Sequence, residues 1–143
     1  MKKAEEIYAE DLKWVEEGDS LECRIYDYQP MLEEFGEIIL QEDDDDYQGD
    51  SFLIYKDGER YGYLNFGWGS CSGCDALQAC GTIEEVQELM DELYNEIIWC
   101  ENIDAFEQWF KSRDWQGKYC WWSGSAFHEF YKNVLEWFDN IKK

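Results

Sequence analysis

The chain has 143 residues, enough for one domain with a substantial core, and carries 12 basic against 34 acidic side chains for a net charge of −22. A field of that sign repels nucleic acid and anionic lipid and attracts basic protein surfaces. A hydrophobic fraction of 45% and an aromatic fraction of 18% exclude a disordered chain, because so many rings bury enough area to offset the self-repulsion.

No run of about 18 apolar residues is present, so no membrane-spanning helix is expected. Met1-Lys2-Lys3-Ala4-Glu5-Glu6 lacks the apolar stretch of a secretory signal, which points to a cytoplasmic protein. In that setting six Cys read as reduced thiols or metal ligands before they read as disulfides. The charge is uneven: residues 1–50 hold four basic and eighteen acidic side chains, residues 51–100 two and nine, residues 101–143 six and seven.

In chain order, residues 4–17 read as a helix with Ile7, Tyr8, Leu12, Trp14 and Val15 as its apolar stripe and Gly18 at its end. Leu21 to Tyr26 alternates in the manner of a strand, and Pro30, the only proline, marks a loop. Antiparallel strands are expected near 36–42, 51–56 and 60–68, with Asp43-Asp44-Asp45-Asp46 as an exposed loop of four mutually repelling carboxylates. Asp57-Gly58 between two strand-like runs is the pair a type I′ hairpin requires. Thr82-Ile83-Glu84-Glu85 is a capping box opening a helix expected over 82–99. Further helices are expected near 103–111 and 125–141, the last with Phe127, Phe130, Tyr131, Val134, Leu135 and Phe138 inward. The order predicts one α+β domain spanning 1–143, a small antiparallel sheet of three or four strands packed against N-terminal and C-terminal helices.

Cys71-Ser72-Gly73-Cys74 is the strongest chemical motif. Two Cys with two residues between them can point both thiolates at one metal, and Gly73 permits the turn. A short helical stretch is expected over 75–80, which would set both sulfurs at a helix N-terminus, where the dipole favours thiolate. Cys80, at the other end of that stretch, is a weaker third ligand. A straight helix over 82–99 spans about 27 Å and carries Cys100 too far away, which leaves Cys120 as the better fourth ligand and His128 and Cys23 as alternatives. A structural Zn2+ on Cys71, Cys74, Cys80 and Cys120 is therefore expected. The bland alternative is a set of buried or idle thiols. The redox alternative is weakened because no proline follows the motif to supply the cis-Pro of thioredoxin-like proteins.

A single His leaves little room for a hydrolase site, and no phosphate-binding glycine loop is present, so an enzyme is not expected. Glu84, Glu88, Glu92 and Glu96 recur at i, i+4 spacing with Glu85 and Asp91 beside them. Like charges so spaced weaken a helix by a few tenths of a kcal/mol per pair, at about 6 Å intervals along its axis. Such a row suits a surface that meets Lys and Arg on a partner. These four, with Asp43, Asp44, Asp45 and Asp46, are the candidate partner-binding residues.

The stretch from Tyr61 to Cys80, centred on Trp68-Gly69-Ser70-Cys71-Ser72-Gly73-Cys74-Asp75-Ala76-Leu77-Gln78-Ala79-Cys80, resembles a signature of small bacterial and phage proteins to which no activity is attached. Arg113-Asp114-Trp115-Gln116-Gly117 resembles a second block of the same group. In size, acidity and cysteine cluster the chain also resembles phage-encoded anti-CRISPR proteins of type II systems. That resemblance implies a non-enzymatic inhibitor in the host-cell cytoplasm, docked on a basic RNA-guided nuclease so as to block nucleic-acid loading or cleavage. A toxin-immunity protein is the second reading, and a thiol-redox or metal-dependent enzyme the third.

Overall fold

Ser51, Phe52, Leu53, Ile54 and Tyr55 are all buried, although successive side chains on a strand point to opposite faces. A strand buried on both faces must lie inside a sheet that is covered twice, and that requirement organises the molecule. The structure is a computed structural model describing residues 1–45, 47–115 and 126–141. Its elements in order are α1 (Ala4–Ile7), α2 (Ala9–Leu12), α3 (Gln29–Leu32), β1 (Glu37–Asp43), β2 (Gly49–Asp57), β3 (Arg60–Trp68), α4 (Ile83–Glu96), β4 (Ile98–Cys100), α5 (Ile103–Ser112) and α6 (Ala126–Ile141). The four strands form one antiparallel sheet in the order β1-β2-β3-β4, which is the α+β architecture the sequence predicts.

Leu53, Tyr55, Leu64 and Phe66 join the N-terminal helices, Leu77, Cys80 and the inner side of α4 in one core. Phe52, Ile54 and Tyr63 join Phe106 and Phe110 of α5 and Phe127, Phe130, Val134 and Phe138 of α6 in the other. Each fully buried Phe or Leu contributes roughly 1.5–3 kcal/mol, so these two layers carry most of the fold. A register shift between Ile38 and Leu40 explains why Ile39 and Leu40, though adjacent, both pack on the α5–α6 side.

Several local expectations change. The 4–17 helix is two short helices broken at Tyr8, whose buried hydroxyl donates to the Asp27 carbonyl at 2.7 Å. The second ends at Leu12, so Trp14 leaves the apolar stripe and stands 82% exposed. Residues 21–26 form a turn instead of a strand, with Cys23 in the left-handed region at φ 63°. Pro30 sits in the first turn of α3, where its missing N–H removes nothing. The hairpin turn falls one residue later than Asp57-Gly58: Asp57 pairs with Arg60 around Gly58 and Glu59. Gly58 has φ 65° while Glu59 does not have positive φ, the sign pattern of type II′ and not type I′.

The helix expected over 82–99 ends at Glu96, and residues 98–100 become β4 on the open edge of β3. Gly62 makes this pairing possible, because a Cβ there would lie 2.7 Å from the side chains of both Ile97 and Trp99. Half of the capping box forms: Thr82 accepts the Glu85 N–H at 3.2 Å, while the Glu85 carboxylate accepts from the Thr82 hydroxyl at 3.4 Å and not from its backbone N–H. Asn102 caps α5 in the same way, accepting the Ala105 N–H at 2.8 Å. No helix among the described residues is long and apolar enough to cross a membrane.

Candidate functional site

The strand β3 delivers the chain into a knot of turns over 69–81, where a helix was expected over 75–80. Its centre is Asp75, a buried carboxylate with three donors on it. Oδ1 accepts from the Tyr28 hydroxyl at 2.9 Å and the Gly69 N–H at 3.1 Å, and Oδ2 accepts from the Gln78 N–H at 3.0 Å. Tyr28 in turn accepts the Leu77 N–H at 3.1 Å, so one phenol and one carboxylate hold both ends of the knot against the core. The turn after α2 is tied to the same place, because the Cys23 N–H donates to the Gln78 carbonyl and the Leu21 N–H to the Gly81 carbonyl, each at 2.8 Å.

On this base the loop presents Cys71 and Cys74, both exposed. The Cys74 N–H donates to the Cys71 carbonyl at 3.1 Å, closing a four-residue turn. The two sulfurs lie 3.0 Å apart, and the Cys71 N–H points at Cys74 Sγ from 3.3 Å. The contact from the Cys71 thiol, helped by the Cys71 backbone N–H, holds the Cys74 thiol below its usual range. On Cys74, local donors act where a helix dipole was expected, and no helix forms over 75–80. Gly69 lies directly against this residue: a Cβ there would fall 2.6 Å from Cys74 Sγ and 2.5 Å from its carbonyl oxygen.

Cys80 is placed differently. It is buried, its thiol donates to the Ala76 carbonyl at 3.3 Å, and burial, then the charges of Glu85 and Asp75, push it up to about 11. Cys100 packs with the α5–α6 core on the far side of the sheet from Cys80, so the sheet stands between these two thiols in addition to the length of α4. Cys23 and His128 are both exposed. Cys71 and Cys74 are donors of the kind Zn2+ takes, but a closed site needs four. Among the described residues no three His, Cys, Asp or Glu side chains converge on one point that could hold a metal. Cys120 lies outside the described residues.

The expected partner-binding residues divide into two groups. Glu84, Glu88, Glu92 and Glu96 are all exposed along α4, and none is ion-paired among the described residues, where the three ion pairs are Lys13–Glu10, Arg60–Asp57 and Lys111–Glu107. The inner side of α4 is fixed by Val86, Met90 and Leu93. The aspartate run is less free than expected. Asp43 accepts from the Ser51 hydroxyl and from Gln41. Asp44 is half-buried, with Oδ2 on the Asp50 N–H and Oδ1 on the Ala126 N–H, each at 2.8 Å. It thus joins the β1–β2 connection to the start of α6. Burial, then the Asp44 charge, pushes the Asp50 carboxyl up. Asp45 is exposed, and Asp46 lies outside the described residues.

Asp75, Tyr28 and Gly69 escaped the sequence reading. The signal for Asp75 was available: an Asp three residues before Gln78, just after a tight turn, is the pattern of a carboxylate capping a backbone N–H. Nothing local marks Tyr28, which is 47 residues away in the chain. Comparison with family models, with curated proteins and with solved structures gives no match to this chain.

Proposed function

We propose that the chain is a non-enzymatic binding protein that docks on a basic protein surface through the carboxylate row of α4. The observation that carries this reading is the row itself: Glu84, Glu88, Glu92 and Glu96 are exposed at i, i+4 spacing without cationic partners among the described residues. Such a row lowers the stability of the free helix, and the repulsion is relieved when Lys and Arg of a partner face it. A surface that ordinarily holds a nucleic-acid backbone is the natural counterpart, because it already presents cations at regular intervals. With the resemblance to anti-CRISPR proteins, this makes an RNA-guided nuclease of a type II system the first partner to try, and a basic nuclease toxin the second.

The test is calorimetric titration against each purified nuclease, with cleavage measured at stoichiometric and at catalytic ratios of this chain. Inhibition is expected only near stoichiometry, because a docked protein blocks one copy at a time. Charge reversal to Lys at Glu84, Glu88 and Glu92 weakens binding, and added salt has the same effect by screening. Charge changes at Lys132 and Glu136 on α6 leave the association rate unaltered. Binding that ignores both the α4 reversal and salt overturns the reading.

A further inference from the structure

The pair Cys71 and Cys74 is not used by the α4 reading, and its geometry suits a chemistry of its own. A hydrogen-bonded four-residue turn holds the two Cα atoms within about 7 Å, inside the range that a disulfide bridges. The sulfurs already face one another at 3.0 Å, and both are exposed. The knot beneath is fixed by Asp75 and Tyr28, so the sulfurs can join without disturbing the core. We propose that Cys71 and Cys74 form a thiol–disulfide exchange site for cationic disulfides, with Cys74 as the attacking sulfur and Cys71 as the resolving one.

The roles follow from the contacts. The Cys71 N–H donates to Cys74 Sγ from 3.3 Å, which sets a fixed backbone donor on the sulfur assigned to attack, and Cys71 Sγ lies 3.0 Å away in position to resolve. Cys74 attacks one sulfur of a disulfide RSSR; its Sγ–S bond forms, the S–S bond of RSSR breaks, and RS− leaves to take up a proton. The Cys71 thiol then gives its proton to solvent and attacks Cys74 Sγ, releasing the second RS−. Two protein thiols become one disulfide, and RSSR is reduced to two thiols. The substrate class follows from charge. A net charge of −22 concentrates cationic disulfides at the surface and repels anionic ones.

The test uses the full reduced chain with cystamine as the cationic disulfide and oxidised glutathione as the anionic one, followed by intact mass and peptide mapping. The wild type is expected to lose two hydrogen masses, with the link mapped to Cys71 and Cys74 and reversed by dithiothreitol. Cystamine is expected to react at least about tenfold faster than oxidised glutathione, with the gap closing as salt is added. Cys71→Ser is expected to stop at a mixed disulfide on Cys74, and Cys74→Ser to lose the fast first step. Both variants should keep the wild-type circular dichroism, since both side chains are exposed. Three results overturn the proposal: a wild type that stops at mixed disulfides, a link mapped elsewhere, or a zinc ion retained on the pair that oxidant does not displace.

Discussion

Asp75→Ala tests whether the turn knot is held by one carboxylate. The substitution leaves the Tyr28 hydroxyl and the Gly69 and Gln78 N–H groups without their acceptor in a region where Asp75 is only 3% exposed. Each buried donor left unsatisfied costs about 1–3 kcal/mol, and bonds to a charged acceptor lie at the upper end. The Tyr28 oxygen still receives the Leu77 N–H, so part of the knot survives. The expected loss is therefore about 3–5 kcal/mol, which lowers the melting temperature by roughly 10–15 °C in a chain of this size. Asp75→Asn separates shape from charge. Its oxygen can keep Tyr28 and Gly69, but its amide then faces the Gln78 N–H, donor against donor, so a loss of about 1–2 kcal/mol is expected. Urea unfolding measures both, with the midpoint moving at constant slope. A loss below about 1 kcal/mol for Asp75→Ala, or equal losses for the two variants, refutes this account of the knot.

Glu88→Lys places a cation four residues from both Glu84 and Glu92, so it should stabilise α4 by about 0.2–0.5 kcal/mol per pair while weakening partner binding; thermal melting and titration read the two opposite effects. Gly69→Ala forces a Cβ to within 2.6 Å of Cys74 Sγ, and the loop must move. The expected result is slower alkylation of Cys74, followed by mass spectrometry, with the two hydrophobic cores intact. Alkaline stability carries a sign: Cys80 is pushed to about 11 from an ordinary 9.0, so the unfolded chain releases this proton first and stability falls as pH rises from 9 towards 11. Tyr8, Tyr28 and Tyr55, all raised chiefly by burial, add to the fall above pH 10. Urea midpoints measured across that range should decline, and Cys80→Ala should flatten the first part of the decline.

What could be read from the residues alone is what short-range physics decides. The N-cap at Thr82, the Phe127-Phe130-Val134-Phe138 spacing of α6 and the three long strands depend on neighbours within a few positions, and each forms where expected. The turn that pairs Cys71 with Cys74 is equally local, closed within four residues, although Gly73 has no positive φ and leaves room for a Cβ, so the turn does not depend on the glycine. The exposed carboxylates of α4 follow from the same helical period that buries Val86, Met90 and Leu93.

The rest required partners distant in the chain. Residues 98–100 have a helical pattern behind them, yet the open edge of β3 and the space left by Gly62 draw them into a strand. The first helix breaks at Tyr8, whose hydroxyl donates to the Asp27 carbonyl 19 residues away. Asp44 looks like one of four repelling charges, but two backbone N–H groups, one of them 82 residues away, make it a structural clasp. Asp75 organises the cysteine loop only because Tyr28 reaches it across the core. Periodicity records which side of an element is apolar; a buried polar contact depends on which two elements meet, and only the folded chain decides that.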